Sequence, residues 1–214
     1  WQTAFPEAEI FPDQNTLEIT PNSCELVIHA MALHWANDLV GQLIQCRRAL
    51  QPDGLFLAAC FGGQTLIELR AALAEAEIEI TGGLSPRIAP MAEIRDLGGL
   101  LQRAGFALPV ADSARLTVTY RSARHLMHEL RAMGENNALA NRLRHPTKAA
   151  VLRRTEEIYN ARHRRDDGTI AATFEMIYLT GWAPDPSQPK PLRPGSAVTR
   201  LSAALKTQEN PLKD

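Results

Sequence analysis

Two histidines and a tryptophan stand where a buried strand is predicted to end. His29 lies in the apolar run LVIHA, and His34 and Trp35 follow shortly after it. In an open parallel sheet, ligands bind beyond the carboxyl ends of the strands, so these side chains, with Ala30 and Met31, stand where a ligand would bind. Residue type alone favours a packing cluster instead, in which the indole fills a gap and the imidazole bonds backbone.

The other groups that could do chemistry give weaker signals. Gly62 and Gly63 follow the next predicted strand, where paired glycines let the backbone approach a ligand or form a tight turn. His125 and His128 share a helix face, but two ligands without a third favour a solvated face over a metal site. No G-x-S-x-G or Walker-type loop occurs, so a hydrolase or an NTPase has no support. No metal site is predicted, and no catalytic group is assigned.

Composition and charge narrow the class of protein. The chain has 214 residues, 45% of them hydrophobic, which is enough for one core. A net charge of -1 gives no field that would attract nucleic acid. Cys24, Cys46 and Cys60 form no C-x-x-C pair, which indicates buried thiols in a reducing compartment. No apolar run approaches the roughly 20 residues of a membrane span. Because the chain opens on Trp1, we expect a fragment or a processed product.

The elements of the first half alternate between strand and helix. LVIHA reads as a strand buried on both faces, and Asn37 or Asp38 can cap the helix after it. The turn signal QPDG precedes a second buried strand, LFLAACF. Two further helices follow, separated by the loop GGLSPRIAP, and the second stops at Gly105. This succession predicts a parallel sheet covered by helices.

The second half is less regular. ARLTVTY alternates like a strand with one solvated face, and Ser122 can start a helix that ends before Gly134. An arginine-rich helix from about Thr147 is interrupted by acids, which favours a salt-bridged surface first and docking on an acidic partner second. A long central strand runs from Ala172 to Trp182, and prolines then exclude regular structure. We therefore expect a domain at 1–183, in which 121–170 form a helical insertion or lid, and an extended Pro-rich tail at 184–214.

Linked motifs from about residue 13 to residue 197 resemble a known family. The first two resemble the fourth strand, helix and fifth strand of class I S-adenosylmethionine-dependent methyltransferases. The others narrow the resemblance to methyltransferase-like proteins related to the mitochondrial complex I assembly factor that hydroxylates an arginine of a core subunit. More distantly, the chain resembles the malonyl-carrier O-methyltransferase of biotin synthesis. The motifs are SCELVIHAMALHWANDL, RRALQPDGLFLAACFGG, GGQTLIELR, GGLSPRIAP, DLGGLLQRAGF, MGENN, DGTIAATFEMIYLTGW and SQPKPLRPGSA.

The resemblance implies a fold and a cofactor. The fold is an α/β Rossmann-like methyltransferase sheet with helices on both faces, and the cofactor is S-adenosylmethionine. Such folds begin with a strand and a Gly-x-Gly loop that holds the methionine moiety. None of the 13 glycines here falls in that pattern. We therefore expect the N-terminal strands and the glycine loop to be absent from this chain.

The resemblance also implies which residues meet the cofactor and the substrate. Asp13, with Gln14, matches a loop acid that bonds the adenine amino group. His29, Ala30 and Met31 occupy the strand end that faces the methionine part of the cofactor. The far wall of the pocket is matched by His34 and Trp35. Arg87, Glu135 and Asn136 lie in the loops that distinguish the family, where they meet the substrate or only cap the loops.

Three functions remain open at this point. The first is an S-adenosylmethionine-dependent enzyme that acts on a protein, of the arginine-modifying, respiratory complex I assembly type. The second is an O-methyltransferase acting on a small molecule or an acyl carrier, and the third is a docking scaffold without catalysis. The compartment would be the cytoplasm in a bacterium and the mitochondrial matrix in a eukaryote. The oligomeric state stays open.

Overall fold

The structure is a computed structural model that describes residues 3, 5–190, 195–196 and 199–208. Trp1 and residues 191–194 of the Pro-rich tail, both interpreted above, lie outside the described residues. The order of the described elements is β1 Cys24–Ala30, a 3-10 helix Leu33–Trp35, α1 Leu39–Ala49, β2 Leu50–Phe61, α2 Ile67–Thr81, α3 Ile94–Arg103, β3 Ala107–Tyr120, α4 Ala123–Ala132, α5 Ala149–His163, β4 Ile170–Trp182 and α6 Leu201–Leu205.

The four strands form one mixed sheet in the order β1-β2-β4-β3. β1 and β2 pair in parallel, as the sequence predicts. The sequence predicts no direction for the strands of the second half, and there β4 runs antiparallel to both β2 and β3. The end of β3 lies beside the start of β4, at the same end of the sheet. The segment between the two strands therefore leads back into a strand that runs antiparallel to β3. The carboxyl ends of β1 and β2, where the candidate site residues lie, form one rim of the sheet. The start of β4 lies at the same rim.

Helices cover both faces of the sheet, as predicted. Alternate residues of a strand point to opposite faces. Phe56, Ala58 and Leu179 belong to one buried cluster, which α1 and α3 complete. Ala172 and Phe174 belong to a second cluster on the other face, which α2, α4 and α5 complete. The sheet thus lies between two separate layers of helix, which is an α/β architecture.

Half of the second face is not covered by the described helices of residues 1–184. Ile28 of β1 and Val110 of β3 lie in one row across the sheet, and their exposed fractions are 59% and 55%. Leu26 and Tyr178 lie on the same face and are also exposed. The prediction that β1 is buried on both faces is therefore wrong. A continuous apolar run cannot reveal this exposure, because the same run occurs in strands whose face is covered and in strands whose face is not.

Local signals in the sequence place most element boundaries correctly. Asp38 caps α1 by accepting a hydrogen bond from Gly41 N at 2.9 Å. Ser122 caps α4 in the same way, and Gly105 ends the turn after α3 with a φ of +84°. The break predicted at QPDG is wrong, since β2 already begins at Leu50. The turn signal appears instead as an irregularity within β2, where Asp53 has a φ of +62°.

The arginine-rich helix α5 is tied to α2 by ion pairs. Arg154 Nε lies 2.6 Å from Glu79 Oε2, and Arg162 Nη1 lies 2.6 Å from Glu75 Oε2. These contacts match the salt-bridged surface that the charge pattern favours. The arginines that make them are engaged within the chain, which weakens the alternative of docking on an acidic partner.

The contacts within the chain divide it into two units, residues 1–184 and residues 185–214. The second unit contains α6, Leu201–Leu205, where the prolines of the sequence predict extended chain. Among the described residues, no helix combines the length and the apolar character that crossing a membrane requires.

Candidate functional site

The chain after β1 is fixed in place at the rim. Met31 N donates a hydrogen bond to Ala59 O of β2 at 2.8 Å, and Met31 adopts a φ of +55°. This turn directs the chain away from the sheet and into the short helix Leu33–Trp35. Ala30 and Met31 are half-buried, whereas Gln14 is exposed. The two histidines of the motif are consequently held on either side of a defined turn.

His29, Asp13 and Gln42 form a polar cluster on one side of that turn. Asp13 Oδ1 accepts a hydrogen bond from Gln42 Nε2 at 2.7 Å and lies 3.5 Å from His29 Nε2. Burial lowers the pKa of His29, and the nearby Asp13 carboxylate offsets this only in part. The imidazole is therefore neutral at neutral pH. Its Nδ1 atom is buried and finds no hydrogen-bond partner among the described residues.

His34 lies on the other side of the turn, among aromatic rings and one carboxylate. Its side chain is 3% exposed, and its ring centroid lies 5.0 Å from that of Phe61 and 5.5 Å from that of Trp35. His34 Nε2 lies 3.4 Å from both carboxylate oxygens of Glu135. A side chain 101 residues away thus closes on the motif, a contact for which the sequence gives no local signal.

A cavity of about 590 Å³ opens beside His34. Its apolar floor comes from β2, β4, α2 and α4, and includes Phe61, Leu69, Leu73, Met127, Leu130 and Phe174. Its charged lining comes mainly from α4 and the loops, and consists of Arg87, Arg124, His128, Arg131, Glu135 and Glu156. A large apolar pocket with a few convergent polar groups is the usual form of a small-molecule or side-chain binding site.

The structure divides the residues that the resemblance implicates into two groups. One group lines the cavity and consists of His34, Trp35, Arg87, Glu135 and Asn136. The other group stands on the β1 rim outside the cavity lining and consists of Asp13, Gln14, His29, Ala30 and Met31. His34 and Trp35, which are predicted to close the far side of the cofactor pocket, therefore also form a wall of the cavity. One rim carries both candidate sites.

Arg87 is held by an acid that sequence reasoning missed. Glu77 of α2 is buried, and its carboxylate accepts from Arg87 Nη2 at 2.7 Å and from Ser85 Oγ. Burial acts to raise the pKa of Glu77, but the bonds from Arg87 and Ser85 outweigh it and lower the pKa to about 2. Arg87 Nη1 also donates to Thr147 Oγ1 at 2.8 Å. Arg87 therefore ties two loops to α2 as well as lining the cavity.

The paired glycines are explained by close packing of side chains. A Cβ added to Gly62 would lie 2.5 Å from Glu175 Oε2, and one added to Gly63 would overlap the Glu93 carboxylate. Glu175 is buried and accepts a hydrogen bond from Gln64 N at 2.9 Å. Thr65 N donates a hydrogen bond to Gly62 O at 3.0 Å, which matches the tight-turn alternative. A glycine pair gives no sequence signal that could identify Glu175 as the neighbour.

The described residues contain no cluster of three or more groups suited to hold a metal ion. His128 lines the cavity, while His125 Nε2 lies 3.5 Å from Glu129 on the same helix. Cys46 and Cys60 are poor nucleophiles, because burial raises the pKa of Cys46 to about 12 and that of Cys60 to about 11. The site offers recognition groups, namely imidazoles, carboxylates and aromatic faces.

Comparison with known proteins finds two kinds of sequence relative, while no family model matches. The human protein named Arginine-hydroxylase NDUFAF5, mitochondrial, is 40% identical over 201 residues, which are 92% of this chain and 57% of that protein. A malonyl-acyl-carrier-protein O-methyltransferase from Gallionella capsiferriformans is 32% identical over 211 residues, 96% of this chain and 68% of that protein. The chain spans about half of the arginine-hydroxylase relatives, from 42% to 60% of their length.

Solved structures give a weaker likeness. A methyltransferase structure from Bacillus halodurans is 13% identical, covering 80% of this chain and 75% of that chain with a TM-score of 0.49. The family assignment rests on the sequence relatives.

Proposed function

This chain belongs to the class I S-adenosylmethionine-dependent methyltransferase-like proteins, and we propose that it binds S-adenosylmethionine and takes part in modifying an arginine of a protein. The sequence identity to the arginine hydroxylases supports this choice, since 40% over 201 residues exceeds the 32% over 211 residues found with the malonyl-carrier enzyme. The partner would be a respiratory complex subunit. The compartment would be the mitochondrial matrix in a eukaryote and the cytoplasm in a bacterium.

The rim residues fit part of the cofactor. The Asp13 carboxylate is 35% exposed and can accept from an amino group of an adenine ring. The buried Nδ1 of His29, which lacks a partner among the described residues, indicates that the rim is built to meet a further polar group. His34 and Trp35 would close the far side. When bound, S-adenosylmethionine supplies a methyl group on a positively charged sulfur, and the residues of this chain position it and exclude water.

The cavity supports a substrate with an apolar stem. Its floor is apolar, while carboxylate and aromatic groups stand at His34, Trp35 and Glu135. A substrate side chain that combines methylene groups with a polar head fits this distribution. The segment 121–170, which supplies α4, Glu135 and α5, would act as the lid over that side chain.

A second candidate function is O-methyl transfer to a malonyl group on an acyl carrier. The relative from Gallionella capsiferriformans favours it, because the chain covers 68% of that protein. Arg124 and Arg131, which line the cavity, could bind a carboxylate. A third candidate, a docking scaffold without catalysis, requires that neither substrate be modified.

Calorimetric titration of S-adenosylmethionine and S-adenosylhomocysteine into this chain tests the cofactor assignment. We expect binding that weakens roughly tenfold in Asp13→Asn and in His29→Ala, because each substitution removes a polar contact. Asp112→Asn is the control, since Asp112 is exposed on the edge strand β3. Equal binding by all variants would contradict the rim assignment. Because the glycine loop is expected to be absent from this chain, absence of binding would contradict the proposal that this chain binds the cofactor by itself, and it would favour the scaffold.

Mass spectrometry of two substrates tests the proposed reaction class. The chain is incubated with S-adenosylmethionine, dioxygen and a two-electron reductant, together with either an arginine-containing peptide or a malonyl acyl carrier. Hydroxylation would take one oxygen atom from dioxygen, and the reductant would supply the two electrons that reduce the other atom to water. We expect the peptide to change at its arginine, and the mass gain distinguishes one oxygen atom from one methylene group. Methylation of the malonyl carrier alone would favour the second candidate function.

A further inference from the structure

Glu135 is placed at the cavity by the end of α4. Gly134 adopts a φ of +85°, and Glu135 N donates to Leu130 O at 2.9 Å while Gly134 N donates to Arg131 O at 3.1 Å. These two hydrogen bonds and the left-handed Gly134 form the turn that commonly ends helices. The backbone of Glu135 is therefore fixed by the helix, so its carboxylate stands at a defined place on the cavity wall.

Most hydrogen-bond acceptor positions of the Glu135 carboxylate have no donor among the described residues. Among the described residues, its side-chain contact is with His34 Nε2, which lies 3.4 Å from each oxygen. An ionised carboxylate offers about four acceptor positions, and one nitrogen shared at that distance occupies little of this capacity. The Glu135 side chain is only 18% exposed, so water satisfies it less than it would a surface acid. The geometry leaves room for a planar, multiple donor.

The surroundings of Glu135 match one such donor. A guanidinium is planar, pairs with carboxylates through two parallel hydrogen bonds and stacks on aromatic faces. Trp35 is 37% exposed and lines the same cavity as the carboxylate, and the apolar floor of the cavity would receive the three methylene groups of an arginine. We propose that Glu135 binds the guanidinium of the substrate arginine, with Trp35 as the ring that it stacks on. This inference rests on the proposed function and assigns its recognition residue.

The basic groups of the cavity do not prevent this binding. Arg87 is paired with Glu77, and Arg124, His128 and Arg131 are exposed. Exposed charges are screened by salt over about 8 Å at physiological ionic strength, whereas the Glu135–His34 contact is largely buried. These exposed cations would instead attract an acidic residue next to the target arginine. If the substrate were the malonyl group of the second candidate function, they would attract that anionic group.

Binding of matched peptides tests the assignment independently of catalysis. A short fluorescent peptide with a central arginine is compared, by anisotropy, with the same peptide carrying citrulline, which has a similar shape and no charge. We expect the wild-type chain to prefer arginine, and Glu135→Gln to bind the arginine peptide roughly tenfold or more weakly with citrulline binding unchanged. Glu129→Gln is the matched control, since Glu129 also lies 3.5 Å from a histidine but does not line the cavity.

Two outcomes would overturn the inference, and they are distinguishable. If Glu135→Gln keeps the preference of the wild type, Glu135 is not the recognition residue, while the proposed arginine substrate stands. If the wild type shows no preference, both the inference and the arginine substrate fail, whereas the cofactor titration is unaffected. Circular dichroism checks that each variant folds. If Glu135→Gln does not fold, Trp35→Leu replaces it, with loss of the preference expected and its full retention overturning the inference.

Discussion

At the scale of single residues, buried charges decide how the cavity loops are held. Glu77 gathers Ser85 and Arg87 onto α2, and Arg87 reaches on to Thr147. Since a buried carboxylate is costly unless it is paired and hydrogen-bonded, this network stabilises the loop only while Glu77 is ionised. Arg87 is thus a loop anchor first, and its contact with a substrate stays a prediction.

Replacement of Glu77 is expected to change both stability and its pH dependence. Glu77→Gln leaves Arg87 without its partner and should cost about 2 kcal/mol or more at neutral pH. Because the folded pKa is lowered from 4.5 to about 2, the stabilisation is present above pH 4.5 and is lost as the pH falls towards 2. Urea unfolding at steps from pH 6 to pH 2 should therefore show the wild type and the variant converging at the acidic end.

Glu75→Gln is the control for this series. Glu75 lies on the same helix and pairs with Arg162, but both side chains are partly exposed. Exposed pairs contribute little, so we expect only a small change in stability. A wild-type–Glu77→Gln difference that stays constant down to pH 2 would contradict the assignment.

At the scale of elements, caps and helix ends bring distant side chains to the rim. Asp38 begins α1, whose Gln42 bonds Asp13, and the turn at Gly134 sets Glu135. The position of each polar group therefore depends on where a helix starts or stops. A shift of one residue in the register of α1 would rotate Gln42 by about 100° around the helix axis.

Asp38→Ala is expected to destabilise the chain by about 1 kcal/mol, because Gly41 N loses its acceptor at the start of α1. Chemical denaturation of the variant measures this. Asn37→Ala serves as the comparison, since Asn37 is the other cap that the sequence allows, and its side chain bonds Asn15 on the surface. An equal loss in both variants would show that the cap is not the cause.

At the scale of the whole molecule, the sheet is covered unevenly. α1 and α3 cover one face, while α2, α4 and α5 cover only the half of the other face near the start of β4. The row from Ile28 to Val110 lies on the open half. The cavity forms at the covered half, so the site and the exposed apolar surface belong to different regions of one face.

The open half of the sheet is expected to bind the dye ANS, which reports exposed apolar surface. Ile28→Lys should lower the fluorescence and change the free energy of unfolding by roughly 0.5 kcal/mol or less, since Ile28 is 59% exposed. Leu84→Lys is the control, because Leu84 is 66% exposed on the loop after α2. If the fluorescence fell equally in both variants, the dye would bind outside the open half of the sheet.

The sequence by itself determined most element boundaries and the strand end at which the β1 rim lies, and its resemblance to known proteins determined the family. Local patterns suffice for the boundaries, because capping at Asp38 and Ser122, helix ends at Gly105 and Gly134 and the apolar runs act over a few residues. The motif around His34 and Trp35 likewise identifies a rim from residue order alone.

Only the tertiary structure decided which partners these residues meet. The pairing of His34 with Glu135, of Glu77 with Arg87 and of Gly62 with Glu175 joins segments that no spacing relates. The antiparallel course of β4 and the open half of the sheet were also invisible in the sequence. Burial and pairing depend on what packs opposite a residue, and that is a property of the folded chain as a whole.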